Sequence, residues 1–394
     1  MRRLFIAIAI ALVPSLALAA PDEVYVAYST GNDTTGDGTS GTPWATIQKA
    51  LNTVNHGGDG VRINVKAGET QILSAILSYT TYVGTNGVGA VTEPLIIQGY
   101  TSAAGDGGIA TIQGTTNSVA IWGGTDSLDA DFVTFQDLIM TSGQASGYAI
   151  DIDNNCTLRR CKLVSPKGGI DIDTNSNIRE CWVSYGAALA VNGGATTMVS
   201  NTYFESTGST FIGGVVAIVV KGCVFNSRAG TTDAATYVIS PAGWSSAIIG
   251  NTILGNISSG TAGGHGIRIG HNNCLVENNY IEGFAGTNSE GIDISSSSHA
   301  TIVEGNKTFN CTSGMTNASA TTMGQTSISN LGASGVTNAS GGDYSPTSDL
   351  IDAGVPAAFF QLSGNANYPT VGAIETQHGS TNTIDPLTGT IPGL

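Results

Sequence analysis

The chain has 394 residues and a formal net charge of −15, with only 11% charged residues and 41% hydrophobic ones. That balance excludes a basic nucleic-acid-binding face, and it is too apolar for a disordered chain. An acidic protein also cannot hold a polyanionic partner without a bridging cation.

The first residues, MRRLFIAIAIALVPSLALAAPDEV, have the plan of a secretory leader: Arg2 and Arg3, a short apolar run from Leu4 to Leu16, then Ala17-Leu18-Ala19 as a cleavage signal. The run is too short for a membrane span, and no other segment is long and apolar enough to be one. Residues 1–19 are therefore expected to be removed, and the mature chain to be secreted, periplasmic or held at the cell surface. Loss of Arg2 and Arg3 leaves 12 of the 14 basic residues against 29 acidic ones, a net of −17. The 6 cysteines are too few to staple a chain of this length, so packing must hold it together.

Residues 24–41 predict a strand and a polar loop. In TPWATIQKALNTV (42–54), Trp44, Ile47, Leu51 and Val54 fall at helical spacing, with Pro43 placed for a first helical turn. A helix here would cap the open end of whatever follows. From about 61 to 140 the strands are irregularly spaced. From about 147 to 310 a repeat emerges in seven pieces: LRRCKLV (158–164), IRECWVS (178–184), MVSNTYF (198–204), VVKGCVF (219–225), IIGNTIL (248–254), VENNYIE (276–282) and VEGNKTF (303–309).

Aligned on their fourth position, the pieces give a column Cys161, Cys181, Asn201, Gly222, Asn251, Asn279, Asn306. Three positions earlier stand Leu158, Ile178, Met198, Val219, Ile248, Val276 and Val303. Two positions later stand Leu163, Val183, Tyr203, Val224, Ile253, Ile281 and Thr308. The spacings are 20, 20, 21, 29, 28 and 27 residues. Alternating pairs such as Ile150/Ile152, Ile170/Ile172, Ile267/Ile269 and Ile292/Ile294 precede most pieces and have the period of a half-buried strand. Three short strands per 20–29 residues, with small or polar corners, predict a parallel β-helix. The Asn column predicts left-handed bends whose side chains hydrogen-bond from coil to coil. Residues 312–344 predict a loop or a looser last coil, and 376–394 a flexible tail.

Three further stretches, VYVAYSTGNDTTGDGTSGTPWATIQKALNTV (24–54), VRINVKAGET (61–70) and EPLIIQGYTS (93–102), resemble the opening of secreted proteins of the pectate-lyase-like superfamily. The closing SPTSDLIDAGVPA with PTVGAIE (to residue 375) is similar to their last segment. The resemblance implies an all-β, single-stranded right-handed parallel β-helix with an N-terminal capping helix, spanning residues 20–375 as one domain. It implies little about activity, since such folds carry lyases, hydrolases, epimerases and adhesins.

The candidate site is the phrase AIDID (149–153), which returns as GIDID (169–173). With the isoleucines inside, Asp151, Asp153, Asp171 and Asp173 share an outer face, on rungs roughly 4.8 Å apart. Like charges so placed repel, and a bound Ca²⁺ would relieve them. In the superfamily's pectate lyases, which this arrangement resembles, acidic residues hold calcium and a nearby Lys or Arg takes the substrate's proton. Five basic residues cluster here (Arg159, Arg160, Lys162, Lys167 and Arg179), and Lys167, in the turn leading back to GIDID, is best placed as the base. Arg160 and Glu180 share a column and would pair. The alternative is that the aspartates are solvated surface on two near-identical coils.

GGHGIRIG (263–270) is similar to a polygalacturonase motif in its His265 and Arg268, but Gly270 replaces the expected lysine and the Asn-Thr-Asp and Asp-Asp motifs are missing. The aspartate pairs lie several coils away, too far to act with His265. Asp293 leaves open an Arg268/Asp293 or His265/Asp293 pair. Cys161 and Cys181 are spaced for a disulfide or for stacked free thiols. Trp182 and Trp122 offer sugar-stacking faces or, equally, cover for the coil surface. The expected partner is extracellular polysaccharide, cut by a calcium-dependent lyase or, less directly, by a glycoside hydrolase. The rival is a non-catalytic, adhesive or fibre-forming surface protein capable of self-association.

Overall fold

A computed structural model describes residues 22–54, 60–77, 94–114, 131–142, 148–165, 169–186, 189–193, 196–206, 210–213, 217–227, 237–241, 243–257, 263–295, 301–317 and parts of 328–347. The leader, Lys167, Trp122 and the tail lie outside these residues.

The chain winds into a right-handed parallel β-helix. Among the described residues sheet I has 11 strands, sheet II has 11 and sheet III has 8, each ordered along the axis by successive coils. One coil shows the plan. Ile150–Ile152 lies in sheet III, Thr157–Arg159 in sheet I, Lys162–Ser165 in sheet II, and the next coil re-enters sheet III at Ile170–Ile172. Ile150, Ile152, Leu158 and Leu163 point inward and are buried, as the period of two requires. Stacked on their copies, such residues form one continuous core along the axis.

The N-terminal cap is as expected, with one change. The helix is Ile47–Thr53, and the Thr46 hydroxyl accepts its Lys49 N–H at 3.1 Å. Pro43 lies before the helix, because Trp44 is still extended and bridges to Val26. Asp33 fixes the entry by accepting the Ala45 and Thr46 N–H groups at 2.8 and 3.0 Å. Ile47, Ala50 and Leu51 are buried over the first coil, where the strand Asp22–Val26 begins sheet I.

Between sheets I and II the chain turns at one residue with positive φ. That position holds Arg160 (47°), Glu180 (56°), Asn201 (48°), Gly222 (63°), Gly250 (61°), Asn278 (55°) and Gly305 (65°) in successive coils. This corrects the repeat column. Ile178 pairs with Val199, and Val199 with Val220, so Met198 and Val219 are outward positions. Likewise Val183 pairs with Phe204 and Phe204 with Phe225; Tyr203 and Val224 face out. The coils starting at 198 and 219 are thus slipped by one residue relative to the sequence alignment. The inward corner column becomes Cys161, Cys181, Thr202, Cys223, Asn251, Asn279 and Asn306, directly after the bend rather than at it.

The asparagines in this column form a ladder. Asn279 Oδ1 accepts from Asn251 N and Nδ2 at 3.0 and 2.9 Å, while its Nδ2 donates to Ile248 O at 2.8 Å and Asn306 Oδ1 at 3.0 Å. All three asparagines are fully buried, so these bonds replace water that the corner cannot reach. Cys161 and Cys181 are free, buried thiols, and burial followed by the hydrogen bond to Cys181 pushes the Cys161 thiol well up.

Sheet II carries a second apolar layer on its outer side. The last coil ends at Ser313–Asn317 and Ile328–Asn330, and a hairpin of Val336–Asn338 and Asp343–Pro346 follows. Val336 packs with the outward Tyr203, Val224, Leu254 and Tyr280. The Ser334 hydroxyl donates to Glu282 Oε2 at 2.8 Å, and the Tyr280 hydroxyl does so at 2.5 Å.

Replacing Asn279 with Ala should cost about 3 kcal/mol, because it strands buried donors and acceptors on the coils to either side. Denaturant unfolding measures this; an unchanged midpoint would show that the ladder contributes nothing.

Candidate functional site

The outer face of sheet III brings the chemistry-bearing residues together in two columns. Pairing of Asp151 with Asp171, Asp171 with Asn192, and Asn192 with Gly213 starts the first. It continues through Ser240, Arg268, Asp293 and Thr316. The second holds Tyr237, His265, Glu290 and Ser313 on consecutive rungs.

The two columns coexist because the strands break strict alternation. In His265–Ile269, Gly266 and Ile267 are both buried, so His265 and Arg268 both emerge. In Glu290–Ile294, Gly291 and Ile292 do the same for Glu290 and Asp293. Glycine is required at these inward kinks: a Cβ on Gly266 would meet Ile281 Cγ2 at 2.6 Å and the Gly291 carbonyl oxygen at 2.7 Å.

Five side chains then interlock. The Tyr237 and His265 rings stack with centroids 5.3 Å apart and planes 14° from parallel. Glu290 Oε2 lies against His265 Nδ1 as its ion-pair partner, and both side chains are largely buried. The Arg268 guanidinium sits 4.5 Å from the Tyr237 ring centroid and donates to its hydroxyl. Arg268 Nε is 3.6 Å from Asp293 Oδ2, with 39% of the arginine side chain exposed. A carboxylate on Nδ1 orients the imidazole so that Nε2 is left to exchange a proton. Of the pairs left open by the sequence, Arg268/Asp293 forms, and His265 pairs with Glu290 instead of Asp293. Glu290 was missed; its signal was the matched phrases HGIRI and EGIDI, which put His and Glu in one register position.

One corner beyond Ser240, on the same coil as Tyr237, stands Trp244. It is 64% exposed, more than the other exposed large apolar side chains of the described residues. Ser245, with φ 61°, makes the turn there and donates its N–H to Asn272 O at 3.1 Å. An exposed indole of this kind presents an apolar face with a polar N–H at its edge.

The aspartate stack is more modest than its sequence suggests. Asp151 and Asp171 lie side by side on adjacent rungs, and Asp153 and Asp173 follow just past the strand ends. Burial, and then the charge of Asp173, raises the Asp151 carboxyl above the usual carboxylate range. Among the described residues no group of three or more His, Cys, Asp or Glu side chains is arranged to hold a metal ion. The Asp171 and Arg268 rungs are four coils apart, roughly 19 Å, so the two groups act separately.

The basic cluster around it is partly occupied. Arg160 makes a two-pronged pair with Asp137, at 2.6 and 2.7 Å, and Arg159 reaches Glu180 at 3.4 Å. The expected Arg160–Glu180 pair is replaced by these two, because both residues sit at the bend and Asp137 is the carboxylate the Arg160 guanidinium meets. Lys162 lies 3.6 Å over the Trp182 ring on sheet II. Trp182 also leans on Tyr203, 6.3 Å between centroids, and on the outer apolar layer. Trp182 is thus half-buried between Lys162 and the outer apolar layer of sheet II.

No protein-family model matches the sequence, and no curated protein sequence matches it. Solved structures do share its fold. A glycoside hydrolase superposes with TM-score 0.55 at 11% identity, covering 78% of this chain and 96% of its own. The pectate lyase Pel9A superposes with TM-score 0.50 at 14% identity, covering 92% and 98%. These likenesses bear on the fold, a right-handed parallel β-helix.

Asp151 sets a pH dependence. Its folded carboxyl is raised above the usual 3.8, so the stability it contributes is present at low pH and is lost as pH rises through the folded value. Asp151→Asn should therefore be more stable than the parent near neutral pH, with the gap closing below pH 3.8. Thermal melts across pH check this; a gap that widens on acidification would contradict it.

Proposed function

We propose that the protein binds an extracellular polysaccharide across the outer face of sheet III and cleaves it at the Tyr237–His265–Arg268 cluster. The observation that carries this reading is the interlocked set itself. An imidazole braced by Glu290, a guanidinium braced by Asp293 and an aromatic hydroxyl meet on three consecutive rungs of an exposed sheet.

In this reading His265 moves the proton at Nε2. Arg268 and Tyr237 hold sugar oxygens beside the scissile bond, and Trp244 stacks on a neighbouring sugar. The fold neighbours named a glycoside hydrolase and a pectate lyase support carbohydrate as the substrate class. The net charge of −15 and the acidic Asp151/Asp171 end of the same column favour a neutral glycan over a polyuronate. A calcium-dependent lyase with Lys167 as base is the second reading. It rests on the Asp151–Asp171 register.

The test is cleavage of a panel of neutral and uronate polysaccharides, followed by new reducing ends and by the ultraviolet absorbance of an unsaturated product. His265→Ala and Glu290→Gln should each lower kcat by about a hundredfold or more. Trp244→Ala should raise KM about tenfold with kcat nearly kept. A neutral glycan cut without an unsaturated product, and indifferent to chelator, is the expected result. Full activity in His265→Ala would remove the cluster from the chemistry. Uronate cleavage lost with chelator, and with Asp151→Asn/Asp171→Asn, would transfer the assignment to the second reading.

A further inference from the structure

Sheet I presents a face that neither the core nor the proposed site uses. One outward column is apolar over five consecutive rungs: Met198, Val219, Ala247, Leu275 and Ile302, each paired with the next. Its two ends, Met198 and Ile302, are 38% and 37% exposed. The smallest residue, Ala247, stands at its middle, so reversing the stripe end for end sets apolar side chain opposite apolar side chain. Ordinary soluble surfaces scatter such residues singly and do not line them up on a flat sheet.

The neighbouring outward column is graded in charge along the axis. It runs Arg159, Arg179, Ser200, Lys221, Ile249, Glu277, Glu304, so its early rungs are basic and its late rungs acidic. Glu277 is buried, which leaves Glu304 as the accessible acid, while Arg179 and Lys221 are exposed. A face with Arg179 and Lys221 toward one end, Glu304 toward the other and an apolar stripe beside them matches a copy of itself turned end for end.

We propose that this face of sheet I joins two copies of the chain, packed antiparallel about a two-fold axis near Ala247. The apolar stripes lie together, and Glu304 meets the Arg179–Lys221 stretch of the other copy. Two-fold symmetry makes each such ion pair twice. One stripe of five rungs is a small contact, so association belongs in the micromolar range. Sheet III lies on another side and stays open to substrate.

Sedimentation equilibrium of the protein over rising concentration tests this, with four chains compared. The parent should pass from monomer to dimer. Met198→Asp/Ile302→Asp should stay monomeric, and Glu304→Lys should weaken association by roughly tenfold or more through like-charge contact. Arg179→Glu/Glu304→Lys reverses both partners and should restore it. All these positions are on the surface, so unchanged circular dichroism and melting will show that the variants fold. A parent that stays monomeric, or a dimer untouched by the Met198/Ile302 pair, overturns the proposal. A dimer that the double charge reversal fails to restore overturns the antiparallel arrangement.

Discussion

Everything in this molecule depends on coils stacking with their corners in line. A three-residue strand has little stability of its own; it exists because a copy lies above and below it. The bend between sheets I and II supplies the alignment. One left-handed residue turns the chain, and the next side chain points inward and hydrogen-bonds to the same position on the adjacent coil. Where that position is Asn, the ladder ties side chain to backbone and side chain to side chain. Toward the N-terminal end the position is Cys, with buried thiols that need fewer partners.

That register decides what each face can do. Sheet II turns Tyr203 and Tyr280 outward under a terminal hairpin, where they form a second, smaller core. Sheet I carries small strands with apolar and graded charged columns. Sheet III brings two ion pairs and an aromatic hydroxyl together on three consecutive rungs. The kink at Gly266 and Gly291 is the local device behind this, since it lets two outward columns rise from one strand instead of one.

Most of the architecture was legible in the sequence, because apolar residues of the core recur with the coil. Leu158, Ile178, Ile248, Val276 and Val303 stand where the repeat placed them. The slip at Met198 and Val219 has a plain cause: MV and VV present two adjacent apolar residues, and a three-residue strand offers too little alternation to choose between them. The Asn column was visible, but the bend was assigned one residue late in the coils where Gly250, Asn278 and Gly305 precede it. On the site, paired aspartates drew attention through repetition, whereas His265 and Glu290 meet only once the 25-residue coil between them is closed. Arg268 with Asp293 was within reach for the same reason that Ile267 with Ile292 was. Trp244 gives no periodic signal, since exposure at a corner is a property of the turn.

The central claim is that the Tyr237–His265–Arg268 cluster is where a glycan sits. A crystal structure of the protein with an oligosaccharide selected by binding tests it most directly. The account predicts a sugar on the outer face of sheet III, with oxygens on Arg268 and the Tyr237 hydroxyl and a ring over Trp244. A sugar bound on sheet I or sheet II, with sheet III empty, would contradict it.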